Sequence, residues 1–220
     1  MIDFEKARRT MVDCQIRPND VTEYAILEAF GSVPREAFVS QAQKPIAYID
    51  EDLPLLASDA SRYLMEPMSM ARLVDLAQIR SDDIVLDIGC ATGYSSAILS
   101  LLCSSVVAIE SDENLAARAS ENCLNLGYDN VAVVHSPLQN GLAAEGPYDA
   151  IFVGGAVHET PEQILKQLKD GGRLVVVEGL GNAGQAKVYL NSGGIISSSV
   201  AFNCAVKPLP GFERESVFEF

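Results

Sequence analysis

Two acids and two glycines make the constellation in this chain with the clearest chemical capacity. They are Asp87, Gly89, Gly93 and Glu110, and the first three lie in the stretch Asp87-Ile88-Gly89-Cys90-Ala91-Thr92-Gly93-Tyr94. Glycine at such places allows a tight turn and close backbone approach to a ligand, and a helix starting there offers unpaired N–H donors. The acids narrow the choice of ligand. Asp87 would face it at short range, which opposes a pyrophosphate and suits a positively charged amino group or sulfonium. Glu110, about 20 residues beyond the loop, stands where a carboxylate can accept two ribose hydroxyls in a fork. The dinucleotide fingerprint G-x-G-x-x-G, counted from Gly89, fails because Ala91 and Tyr94 occupy its other glycine positions.

These residues need a strand before the loop, a helix after it and a second strand ending at Glu110. The patterning predicts all three. Ile84-Val85-Leu86-Asp87-Ile88 is a short run of buried-strand type. A helix is expected over 95–102, a strand over 106–109 and a helix over 113–126, then strands over 131–134 and 148–153, a helix over 161–168 and a strand over 173–177. Such alternation implies an α/β, doubly wound, mostly parallel sheet of Rossmann-like type, covered on both faces. Segments 186–189, 197–203 and 216–220, separated by Gly193-Gly194 and Pro208-Leu209-Pro210-Gly211, read as an antiparallel edge. Upstream, residues 4–40 read as a helical cap broken at Pro18-Asn19-Asp20, and residues 45–67 as a long ordered loop of the functional kind. Met68, Met70, Leu73, Val74 and Leu76 then form an apolar helix face. One domain is expected, with 1–66 as cap and substrate-side loop and 67–220 as the cofactor-binding core.

Composition excludes several function classes. Sixteen Lys and Arg against 30 Asp and Glu give a net charge of −14, which opposes broad contact with nucleic acid or an anionic membrane. Five cysteines (Cys14, Cys90, Cys103, Cys123, Cys204), widely spaced and without a C-x-x-C pair, fit reduced thiols and neither a disulfide framework nor a metal site. The N-terminal segment has no apolar core of signal-peptide length, so a cytoplasmic location is expected.

The stretch Val85–Tyr94 resembles the first motif of the class I S-adenosylmethionine methyltransferases. More broadly, the chain is similar to the protein-L-isoaspartate O-methyltransferase family. The resemblance rests on Val33-Pro34-Arg35-Glu36-Ala37-Phe38-Val39, the helix start Pro67-Met68, the cofactor loop, Pro147–Val153, Leu168–Val175 and Val206-Lys207-Pro208-Leu209. It implies S-adenosylmethionine as cofactor, held by Asp87, Gly89, Cys90, Ala91, Gly93, Tyr94, Glu110, Ser111, Ser136, Pro137 and Leu138. It also implies a protein or peptide carboxylate, that of an isoaspartyl residue, as methyl acceptor. A carboxylate, which ordinarily titrates at about pH 4, is already a nucleophile at neutral pH and requires no general base. Accordingly neither histidine is needed for proton transfer. His135 follows an apolar strand and reads as structural or near the adenine, and His158 lies in the polar loop 155–161 as a candidate for touching substrate.

Two departures from the family pattern bear on function. The family shows a segment like G-Q-T-I-S-Q-P, its serine beside the reacting carboxylate, where this chain has Ser61-Arg62-Tyr63-Leu64-Met65-Glu66-Pro67. Met65 replaces the serine and cannot donate a hydrogen bond, which leaves Arg62 and Tyr63 to supply that contact. The family's G-D-G after the third core strand is Ser136-Pro137-Leu138, and Pro137 offers neither carboxylate nor N–H to an adenine. Ser136 or Gln139 would have to do so. A methyltransferase with another acceptor, and a regulatory protein that binds cofactor without turnover, stand as alternatives.

Overall fold

A computed structural model of the chain describes residues 2–55 and 62–213. Helix α1 (Phe4–Met11) starts at Asp3, whose carboxylate accepts the Lys6 N–H at 3.0 Å. It widens into a π turn, Val12–Ile16, tightens at Arg17–Asn19 and stops where Asp20 adopts a left-handed φ of 65°. Helix α2 (Tyr24–Ser32) completes the cap. The region expected to be a loop contains a short antiparallel hairpin, β1 (Leu53–Pro54) with β2 (Tyr63–Leu64). Helix α3 (Pro67–Leu76) takes proline at its first position, where the missing N–H is harmless. Asp50 and Asp52 accept the Met68 and Glu66 N–H groups at 3.1 and 3.0 Å, so this pair of acids caps a helix from a distance.

The alternation then runs β3 (Ile84–Ile88), α4 (Tyr94–Ser100), β4 (Ser105–Glu110), α5 (Glu113–Leu126), β5 (Val131–His135), β6 (Tyr148–Val157), α6 (Glu162–Leu165), β7 (Leu168–Glu178), β8 (Gln185–Ser192) and β9 (Ile195–Asn203). Strands β3 to β9 form a seven-stranded sheet in the order β5-β4-β3-β6-β7-β8-β9. The first five strands of that order are parallel, and β8 and β9 add the antiparallel edge. The fold class read from the sequence is therefore correct. The strand expected at 216–220 and Ser61 lie outside the described residues.

Two features differ from expectation. The helix at 161–168 is a single turn, because Leu168 is taken into β7, where it pairs with Tyr148; the register then slips so that Arg173 meets Ala150. Helical cover is also one-sided. Val85, Ala108, Phe152 and Val175 share a core with residues of α1 to α5, including Met11, Phe30, Met70, Tyr94 and Leu115. Leu86, Ile88, Ile151, Leu174 and Val176, pointing the other way by strand alternation, pack on Leu138, Ile164, Leu165, Leu209 and Phe212. Prolines 137, 147 and 161 punctuate the connections on that second face, and short turns cover it in place of long helices. Among the described residues, no helix is long and apolar enough to cross a membrane.

Strands β4 and β5 lie on one side of β3 while β6 and β7 lie on the other. The chain thus reverses direction between β3 and β6, and a crevice must open at their carboxyl ends.

Candidate active site

The loop after β3 is held mainly by its own neighbours. Gly89 and Cys90 donate their N–H groups to the Ile109 carbonyl at 2.9 and 3.2 Å, Gly93 donates to Cys90 O at 2.8 Å, and Ala91 donates to Glu110 Oε2 at 2.8 Å. With these donors turned inward, the loop offers little of the N–H cradle a pyrophosphate needs. Gly89 and Gly93 both have left-handed φ, 83° and 93°, but neither leaves open space. A Cβ on Gly89 would come within 2.8 Å of Leu209 Cδ2, and one on Gly93 within 3.3 Å of the Ala119 Cα in α5. The second glycine is therefore required by the packing of α5 against the loop.

Asp87 is fully buried on the side of β3 that faces α4. Its Oδ2 accepts the Ser95 and Ser96 hydroxyls at 2.7 and 2.6 Å, and its buried Oδ1 has no partner among the described residues. Burial pushes its pKa up to about 6, against the pull of the two serine hydroxyls. A buried carboxylate oxygen without a donor is the feature a ligand ammonium would satisfy.

Glu110, also fully buried, ends β4 as expected. Its Oε1 accepts the N–H groups of Ser111 and Asp112 at 2.8 and 3.2 Å. Its Oε2 accepts Ala91 N–H and an Nη of Arg62, which also donates to the Gly89 carbonyl at 3.1 Å. Arg62, read from the sequence as an acceptor-side group, therefore reaches across to the end of β4 and occupies the position in front of Glu110.

The remaining assignments divide. Cys90 and Ala91 line a pocket with Tyr63, Leu64, Met65, Met70, Gly89, Ser95, Phe152 and Gly154. Tyr94 turns away. Its ring is fully buried against Phe30, Phe38 and the Arg35 guanidinium, 4.9 Å from the ring centroid, so its side chain anchors the cap. Its hydroxyl has no partner among the described residues, and Tyr94→Phe is expected to leave cofactor affinity unchanged in calorimetry and thermal stability equal or slightly higher. Ser111 and Ser136 flank Glu110, Ser136 donating its N–H to the Glu110 carbonyl at 3.0 Å. Pro137 is exposed, whereas Leu138 is buried in the second core and presents no side chain to a ligand. His135 bonds the Ser111 carbonyl at 3.0 Å, and His158 lines a separate groove with Gln139, Thr160 and Phe212.

A second pocket adjoins the first and shares Tyr63, Met65 and Gly154 with it. Asp52, Arg62, Lys207, Pro208 and Leu209 complete its lining. The wall between the pockets is braced from the cap. Arg35, fully buried, donates to the Met65 carbonyl and the Ala47 carbonyl at 2.7 Å each, and Thr92 Oγ1 donates to the Phe38 carbonyl at 2.7 Å. Sequence reasoning missed Asp52, Leu64, Met70, Ser95, Phe152, Gly154, Lys207, Pro208 and Leu209 as lining residues. Only the Gly154-Gly155 pair after an apolar strand signalled a close approach there: a Cβ on Gly155 would lie 2.9 Å from the Lys207 carbonyl.

A switch-point crevice with an orphaned acid oxygen at the end of one strand and a second buried acid at the end of the next is the arrangement expected of an S-adenosylmethionine-dependent methyltransferase of the class I architecture. The sequence matches the family of protein-L-isoaspartate(D-aspartate) O-methyltransferases (PCMT) over residues 6–210, and the chain belongs to that family. The protein-L-isoaspartate O-methyltransferase of Koribacter versatilis is 34% identical over 94% of this chain and 92% of its own length. That of Protochlamydia amoebophila is 40% identical over 77% and 79%. A solved protein-L-isoaspartate O-methyltransferase superimposes with a TM-score of 0.81 at 27% identity, covering 93% of this chain and 66% of the other. A Plasmodium falciparum protein assigned as a β-aspartate methyltransferase, solved with S-adenosyl-L-homocysteine, shares the fold at TM-score 0.74 and 18% identity, covering 92% of this chain and 97% of the other.

Proposed function

We propose that this chain transfers the methyl group of S-adenosylmethionine to the free carboxylate of an isoaspartyl residue in a protein or peptide. The observation that carries the reading is the pair of adjoining pockets that share Tyr63, Met65 and Gly154, one lined by Ser95 and Ala91, which donate to Asp87 and Glu110, and the other lined by Asp52 and Lys207. Asp87 Oδ1 would take the cofactor's amino group, and Glu110, once free of Arg62, its ribose hydroxyls. The bound cofactor supplies an electrophilic methyl group, whose transfer to a carboxylate oxygen leaves a neutral ester and a thioether with no proton to move. The protein's part is then to align acceptor and methyl in a dry passage, an orientation effect. The absence of histidine from both linings fits that demand.

The test is calorimetric titration with S-adenosylmethionine, S-adenosylhomocysteine and NAD, followed by methyl transfer to an isoaspartyl peptide and its aspartyl control. Both sulfur compounds should bind and NAD should not, and only the isoaspartyl peptide should accept methyl. Binding without transfer to that peptide would refute the acceptor assignment, and no binding of either sulfur compound would refute the whole reading.

A further inference from the structure

The acceptor-side pocket contains a positive charge, Lys207, that acts on the neighbouring Asp52 through space but makes no ion pair with it. Its lining offers two cations, and Arg62 is already bound to Glu110 and the Gly89 carbonyl. Lys207 is exposed and makes no ion pair among the described residues, although acids outnumber bases 30 to 16 in the chain. Its position is fixed on two sides. The Lys207 carbonyl accepts Ala156 N–H at 2.9 Å and Leu209 N–H donates to the Ala156 carbonyl at 2.8 Å, which stitches this segment to the end of β6. Above the backbone, the Lys207 ammonium lies 5.3 Å from the centroid of the Tyr63 ring. Tyr63 belongs to the wall between the two pockets, so the charge is held on the acceptor side of that wall. Met65 offers no donor there. Asp52, on the same lining, keeps one oxygen on the Glu66 N–H, and its negative charge discourages an acceptor that is not itself met by a cation.

We infer that Lys207 is the specificity-determining residue of the acceptor pocket, its ammonium binding the carboxylate that receives the methyl group. The inference rests on the proposed methyl transfer and adds the group that recognises the acceptor. Its energetic signature follows from the charges. The acceptor carboxylate loses its negative charge as the new O–C bond forms and the C–S bond breaks toward sulfur. Lys207 therefore holds the bound acceptor at least as strongly as the transition state, and its removal must raise KM without lowering kcat.

The experiment compares the wild-type chain with Lys207→Met and Lys207→Arg. Two quantities are measured at low and high salt: binding of an isoaspartyl peptide to the S-adenosylhomocysteine-loaded protein, and steady-state methyl transfer. For Lys207→Met, Kd and KM should rise roughly tenfold at low salt, about 1.4 kcal/mol. Its kcat should stay within about twofold or rise, its S-adenosylhomocysteine affinity should not change, and high salt should shrink the difference. Lys207→Arg should restore most of the affinity. Unchanged Kd and KM in Lys207→Met, with an active wild type, would overturn the role of Lys207 and leave the proposed reaction standing. A wild-type chain that neither binds nor methylates the peptide would overturn both.

Discussion

Glu110→Ala is expected to destabilise the fold by roughly 3 kcal/mol and to weaken S-adenosylhomocysteine binding at least tenfold, about 1.4 kcal/mol, while Arg62→Ala is expected to tighten that binding. The opposite signs follow from one buried ion pair. Removing Glu110 leaves the N–H groups of Ala91, Ser111 and Asp112 without their acceptor and strands a guanidinium that is almost fully buried. Removing Arg62 leaves Glu110 with its three backbone donors, so that loss of stability is smaller. It also removes the group that stands where the ribose hydroxyls must enter, and affinity should gain by roughly tenfold. Thermal unfolding and calorimetry on the two variants read both effects. An Arg62→Ala chain that binds more weakly than wild type would mean that Arg62 holds the cofactor instead of occupying its place.

The same pair couples the two pockets. Arg62 directly precedes Tyr63, and Tyr63 and Met65 form the dividing wall. A cofactor that displaces Arg62 must therefore move the chain entering that wall, and acceptor binding is expected to follow cofactor binding. Gly93, Tyr94 and Arg35 show how the cap takes part: the glycine admits α5, the tyrosine packs on the cap, and the arginine fixes the Met65 carbonyl.

The strands and their order of appearance were legible because buried parallel strands are short apolar runs, and Glu110 was legible because its place at a strand end is set by chain length alone. The roles of the loop residues were less so. Nothing in Gly93 or Tyr94 as letters distinguishes a ligand contact from packing against α5 or the cap; that depends on what the helix after β4 and the helices before β1 bring to the same place. The Arg62–Glu110 contact spans 48 positions in sequence and depends on the hairpin of β1 and β2, whose two-residue strands are too short to leave a period. Asp52 was similarly hidden, since an aperiodic loop gives no sign of which of its acids turns inward until α3 is seen to use this one as a cap.

Asp87→Asn should separate ligand binding from folding through their opposite responses to pH. The wild-type carboxyl titrates at about 6 when folded, raised by burial from an ordinary value of 3.8. Between those values the folded protein holds a proton that the unfolded chain has released, so this group's contribution to stability is greatest at acid pH and is lost as pH rises through about 6. Asparagine can still accept the Ser95 or Ser96 hydroxyl through its carbonyl, and it carries no buried charge. Thermal stability of Asp87→Asn should therefore equal or exceed that of wild type near pH 8, with the two converging near pH 4. Cofactor affinity should do the reverse. An ammonium on Oδ1 needs the ionised acid, so S-adenosylhomocysteine should bind wild type with a constant affinity above about pH 7 that falls by up to tenfold per unit below about 6. Asp87→Asn should bind at least tenfold more weakly near pH 8, about 1.4 kcal/mol, with that slope gone. Calorimetry at a series of pH values decides the matter: a variant that keeps wild-type affinity at pH 8 would leave Asp87 as an internal brace for α4, and the orphaned oxygen would have no ligand to meet.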